Sequence, residues 1–112
     1  MERICFTFEI YEGQEAEYKK RHDEIWPELV TAIKEAGFSN YSLFRRGLQI
    51  VAYAECEPDV ETAFAALAPH EANARWSAWF EDVIVSLADE NGELARLEEV
   101  CLLYTSPSPR DS

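Results

Sequence analysis

The sequence has little of what phosphate, metal or membrane binding requires. Its four glycines are scattered over 112 residues, and none belongs to a glycine-rich phosphate loop. The three cysteines, Cys5, Cys56 and Cys101, form no C-x-x-C pair. An odd, scattered set argues against both a disulfide framework and a zinc site, and makes the cytoplasm the expected location. Two histidines, His22 and His70, show no H-x₃-H spacing, and no carboxylate-rich loop is present, so no metal is expected. No apolar run approaches the roughly 20 residues of a membrane span. The start, Met1-Glu2-Arg3-Ile4, runs directly into a strand pattern and leaves no room for a signal peptide. Positive charge is scarce as well: 10 Lys and Arg stand against 22 Asp and Glu, a net charge of −12. Such a surface repels phosphate backbones, which disfavours nucleic acid and anionic membranes as partners and leaves neutral or cationic small ligands open.

What is present is the material of one folded domain. Hydrophobic residues make up 47% and aromatics 12% of the chain, too apolar for disorder. Residues 3–11 alternate, with Ile4, Phe6, Phe8 and Ile10 on one face, as a half-buried strand does. A helix is predicted from about Glu15 to Ala36. Tyr18, Ile25, Leu29, Ile33 and Ala36 form its apolar stripe, Pro27 forces a break near Asp23–Trp26, and Gly37 ends it. Asn40–Arg46 and Leu48–Cys56 read as two strands of a hairpin turning at Arg46-Gly47. The second is apolar on both faces, Ile50, Ala52 and Ala54 against Val51 and Tyr53. One helix layer covers one face only, so a homodimer is expected to cover the other. Asp59 is placed as the N-cap of a helix that ends at Pro69. A longer helix is predicted over about Glu71–Leu87, with Trp76, Phe80, Val83 and Leu87 on one stripe, and Leu94–Val100 leads into a final strand. The order βαββααβ is an α+β fold of ferredoxin-like, split βαβ type.

Several residues could carry chemistry. His22 lies on the inward stripe of the first helix, four residues after Tyr18. There it is either a hydrogen-bonded core residue or a general acid–base group with a pKa tuned by burial. Tyr18, Tyr41 and Trp76 are either core aromatics or the walls of a sugar site, where flat rings pack on apolar C–H faces and phenols bond hydroxyls. His70, beside Pro69, reads as a loop or cap residue, and Cys5 and Cys56 as strand core.

The run E-Y-K-K-R-H-D-E-I-W-P-E-L at residues 17–29 resembles the signature of the L-rhamnose mutarotase family: Tyr, three residues, His, then Ile-Trp-Pro-Glu-Leu. Gly37, Asn40-Tyr41, Arg75-Trp76, Asp82 and the segment 97–100 follow at family spacing, so the likeness spans residues 3–100. The resemblance implies a dimeric ferredoxin-like α/β barrel that interconverts anomers of a monosaccharide, L-rhamnose or a related deoxysugar, without cofactor or metal. It further implies that His22 is the proton donor and that Tyr18, Tyr41 and Trp76 contact the sugar. One departure stands out. Ser77 occupies the place of a second family Trp, and Trp79 lies further on, which leaves His22 intact and bears on which deoxysugar is bound. Two alternatives remain: a cofactor-less oxygenase on the same barrel, and a non-catalytic module binding a small ligand.

The last residues read differently. C-L-L-Y-T-S-P-S-P-R-D at 101–111 resembles the translation of a sequencing adapter, so a single domain over residues 1–100 and a non-native tail over 101–112 are expected. Cys101 would then not be a native cysteine.

Overall fold

The strand at the centre of the molecule is the one with the clearest alternation. In β1 (Glu2–Ile10) the side chains of Ile4, Phe6, Phe8 and Ile10 are buried on one face, while Cys5 and Thr7 on the other are half-buried. The computed structural model describes residues 1–104, so most of the expected tail, from residue 105 on, lies outside the described residues. The remaining elements are α1 (Glu15–Asp23), α2 (Pro27–Ala36), β2 (Phe38–Arg46), β3 (Gln49–Cys56), α3 (Val60–Leu67), α4 (Glu71–Trp79), β4 (Ile84–Ser86) and β5 (Ala95–Arg96).

The predicted break in the first helix is present. α1 ends at Asp23, Trp26 takes an extended ψ of 132°, and Pro27 opens α2 at its first turn, where its missing N–H costs nothing. Gly37 closes α2 in the left-handed region at φ 109°. Any Cβ at Gly37 would run into the Glu57 carbonyl, so only glycine fits. The hairpin pairs Arg46 with Gln49 across the two-residue turn Gly47-Leu48. Asp59 caps α3 by accepting a 2.8 Å bond from the Thr62 N–H.

The sheet runs β2-β3-β1-β4 with every neighbour antiparallel, and β5 also pairs with β1. Four helices cover one face. There Ile50, Ala52, Ala54 and Cys56 of β3 are fully buried in one core with Ala32, Val60, Ala63 and Leu67. The result is a small α+β fold, an open antiparallel sheet under four helices. Among the described residues no helix is long and apolar enough to cross a membrane.

The predicted helix over 71–87 is corrected. α4 stops at Trp79, and Ile84–Ser86 forms β4 against Glu9 and Ile10 of β1. Two local conflicts explain the stop. Glu81 and Asp82 would put negative charge at the negative end of the helix, and the β-branched run Val83-Ile84-Val85 favours strand. The final strand is also shorter than expected. β5 is two residues long, extended by one bond from the Leu97 N–H to the Cys5 carbonyl at 2.7 Å.

Candidate active site

A cleft lies between the helices and the sheet, in two lobes of about 530 and 540 Å³. The two share His22, Tyr41, Leu43, Leu67, Asn73 and Trp76. Tyr18 lines the first lobe only. All four residues singled out from the sequence therefore meet at one place, brought there by α1, β2 and α4.

His22 and Tyr18 are one turn apart on α1, and their ring centroids lie 4.3 Å from each other. The Nδ1 of His22 is 2.9 Å from the Tyr18 carbonyl oxygen. A carbonyl only accepts, so in the neutral ring the proton sits on Nδ1, and Nε2 keeps its lone pair. The imidazole is wedged edge-on between Trp76, at 5.3 Å, and Phe80, at 5.1 Å. Burial lowers its pKa below 6.5, opposed in part by the Tyr18 carbonyl and by Asp23. At neutral pH the ring is thus uncharged and able to accept a proton.

Tyr41 reaches the cleft through an irregularity. The register between β2 and β3 shifts between Ser39 and Ser42, and Asn40 takes φ 47°, so Asn40 and Tyr41 together occupy the space of one residue. Phe38 and Tyr41, three apart, then both face the helices and stack at 5.6 Å. The Asn40 amide donates a 2.9 Å bond to Glu55 and steadies the bulge. Although 37% of Tyr41 is exposed, that surface opens into the cleft. Desolvation there, with a smaller push from Cys56, raises its hydroxyl to about 12. Tyr18 is also shifted well up, first by burial and then by Tyr41. Both phenols stay protonated and able to donate hydrogen bonds at neutral pH.

Trp76 stands half-buried on α4, against Phe80 at 4.7 Å and Trp26 at 5.2 Å. Ser77 lines the first lobe. Trp79 lines neither lobe. It stacks on Trp26 at 5.3 Å and 12°, beneath the Arg21 guanidinium, and so does not replace the aromatic missing at Ser77.

Sequence reasoning passed over Arg21 and Asn73. Arg21 is nearly buried and locks α1 to the end of α4. It donates to the Trp79 carbonyl at 2.6 Å, to both Asp82 oxygens at 3.1 and 3.2 Å, and to Glu17 at 2.9 Å. Its cation sits where the helix dipole is negative and holds Asp82 below the usual carboxylate range. Spacing could have shown Asn73, since it precedes Trp76 by three and shares its helix face. Apart from Glu17, one turn away, Arg21 carried no such signal, because the partners that tie it to α4, Trp79 and Asp82, are some sixty residues away.

A sequence profile described as L-rhamnose mutarotase matches residues 3–103. An L-rhamnose mutarotase of Agrobacterium fabrum is 36% identical over 81% of this chain and 85% of its own length. The chain belongs to the L-rhamnose mutarotase family. Membership makes it an isomerase of the carbohydrate class. The L-rhamnose mutarotase of Listeria monocytogenes is 32% identical over 92% of this chain and 99% of its own. A crystal structure of an L-rhamnose mutarotase from Formosa agariphila superimposes with a TM-score of 0.75 at 29% identity, covering 93% of this chain and all of that one. A tetracenomycin F2 cyclase from Streptomyces glaucescens, at TM-score 0.56 and 22% identity, shares the fold alone.

Proposed function

We propose that this family member interconverts the α and β anomers of L-rhamnose or a related deoxysugar, with His22 as the proton-transfer group. The observation that supports this most directly is the Nδ1 contact with the Tyr18 carbonyl, which leaves a basic Nε2 on a ring that lines the cleft. As the bond from C1 to the ring oxygen breaks, Nε2 takes the proton of the anomeric hydroxyl and C1 becomes an aldehyde. The departing ring oxygen takes a proton from a hydroxyl donor, a tyrosine or water. After rotation about the C1–C2 bond the ring closes on the other face. The ring oxygen returns its proton to that donor, and the His22 imidazolium now acts as proton donor to the new anomeric oxygen. Protons balance over the cycle, and no cofactor or metal enters it. The uncatalysed reaction is already feasible, so positioning with acid–base help suffices. Tyr18 and Tyr41 bond sugar hydroxyls in this reading, and Trp76 packs on the apolar C–H face.

The same proposal extends to the assembly. The strand order β2-β3-β1-β4 supports a ferredoxin-like topology, and the sheet face away from the helices carries Val51, Tyr53 and a 65% exposed Phe44 on adjacent strands. A second copy laid on that face would make a dimeric barrel. Saturation-transfer NMR on L-rhamnose, irradiating one anomeric proton and reading the other, tests the activity. Wild type should exchange anomers rapidly and His22→Ala should lose about 10²–10⁴ in rate with its fold intact. Full exchange by His22→Ala would make His22 a core residue and overturn the mechanism. Sugar binding without exchange by wild type would leave only a binding module.

A further inference from the structure

Asn73 stands where the two lobes of the cleft meet. Of the six residues common to both, three are polar, and two of these, His22 and Tyr41, already have roles in the proposed reaction. The third is Asn73, half-buried on α4 one turn before Trp76. Of the side chains that line the cleft, His22, Asn40 and Ser86 make hydrogen bonds within the protein; among the described residues the Asn73 amide has no protein partner. The amide is half-buried and open to the cleft rather than sealed in the core, and Leu43 and Leu67 beside it offer it no bond, so its groups are free to meet a ligand there. Its two N–H donors and carbonyl acceptor match a pair of adjacent hydroxyls, each of which both donates and accepts. Ser77 and Glu81, by contrast, line one lobe only.

A mutarotase must hold both anomers. A bond to the anomeric hydroxyl is lost when the configuration at C1 inverts, so steady binding has to come from hydroxyls that the reaction leaves alone. Those at C2, C3 and C4 are also the ones whose configuration distinguishes one 6-deoxyhexose from another. We infer that Asn73 is a specificity-determining residue whose amide bonds two adjacent hydroxyls among C2–C4 of the sugar held against His22 and Trp76. This rests on the mutarotase reading and adds to it the group that reads sugar configuration. A site built around a hydrogen-bonding group rejects ligands lacking the partner more strongly than an apolar wall rejects extra groups.

The test is a cycle of protein and substrate deletions. Anomer exchange is measured for wild type and Asn73→Ala on L-rhamnose and on its 2-, 3- and 4-deoxy analogues. Asn73→Ala should lower kcat/KM for L-rhamnose by about 5- to 30-fold, mainly through KM. Wild type should lose a similar factor on two analogues deoxygenated at neighbouring carbons, and Asn73→Ala should lose little more on those two. Asn73→Leu, which keeps size but neither donor nor acceptor, should show the same pattern, with an unshifted pH profile because no charge is added beside His22. It also serves should the alanine variant fold poorly. Wild-type exchange with losses that simply multiply on all three analogues would overturn the role of Asn73 and leave the mutarotase reading standing. No exchange of L-rhamnose by wild type would overturn both.

Discussion

On the helical side of the cleft, Tyr18, His22, Trp76 and Phe80 pack ring against ring with centroids 4.3 to 5.9 Å apart. The Arg21 cluster bolts α1 to the end of α4 behind them. On the strand side, Tyr41 and Leu43 stand on β2, an edge strand most of whose residues are exposed, and Tyr41 faces the cleft only through a bulge at Asn40. His22, the proposed proton-transfer residue, lies on the side where side chains are most tightly packed, which is what preorganisation asks for. The proposed recognition draws on both sides, and the strand side can adjust with little disturbance to the core. Substitutions on the helical side should therefore alter rate and global stability, and those on the strand side and rim should alter local geometry and selectivity.

The largest expected effect is on the helical side. His22→Asn should lose exchange by about 10²–10⁴ in rate, and the pH dependence should vanish with it. Neutral His22 is the accepting form and its pKa is lowered by burial, so wild-type activity should persist below pH 6.5 and fall only on further acidification. Stability follows the same sign. An unfolded His takes up a proton near 6.5 while the folded one resists, so the unfolded state binds more protons as pH falls from 6.5 toward the folded value, and stability declines across that window. Urea titrations of wild type and His22→Asn at several pH values should show that slope in the first and not in the second.

Next in size is Phe80, 1% exposed and in contact with four aromatic neighbours of the helical side. Phe80→Ala should cost about 3–5 kcal/mol of stability, measured by denaturant midpoint. A cost near that of a surface substitution would show that this side is less tightly packed than its ring contacts indicate.

Asn40 tests the strand side. Valine, β-branched and poorly tolerated at positive φ, should cost about 1–2 kcal/mol and reduce exchange by turning Tyr41 away. Asn40→Gly should keep the bulge and the rate. Equal behaviour of the two would mean that the bulge does not set the position of Tyr41.

Smallest of all is the change at the rim. Ser77→Trp restores an aromatic on the first lobe and should tighten the preference for L-rhamnose over sugars such as L-fucose. One aromatic contact is worth on the order of 1 kcal/mol, a few-fold in selectivity. Unchanged preference among deoxysugars would leave Ser77 without a part in recognition.

Much of the fold was legible because its signals are local. Period-two burial marks β1 and β3, Pro27 marks the helix break, and Gly37 and Asp59 mark a stop and a start. His22 and Tyr18 were legible as a pair because both lie on one helix, four residues apart. Tyr41 stood out as an aromatic that could wall a sugar site, and the family motif added a sugar contact, but plain alternation along β2 gives no reason for Phe38 and Tyr41 to share a face. The overlong helix at 71–87 failed for the opposite reason. Trp76, Phe80, Val83 and Leu87 do keep a helical period, but the sheet edge at Glu9 and Ile10 takes Ser86 and Ile84 as strand partners.

The sequence by itself determined which faces are apolar, where helices begin and end at proline, glycine and capping residues, and that Tyr18 and His22 lie on one helix face, since each follows from neighbours within a few residues. Only the tertiary structure decided that α4 stops at Trp79, that a bulge turns Tyr41 inward, that Arg21 clamps two distant elements and that Asn73 faces the junction of the cleft. Those outcomes depend on hydrogen bonds and packing between segments far apart in the chain, and such energies have no local pattern by which a sequence can announce them.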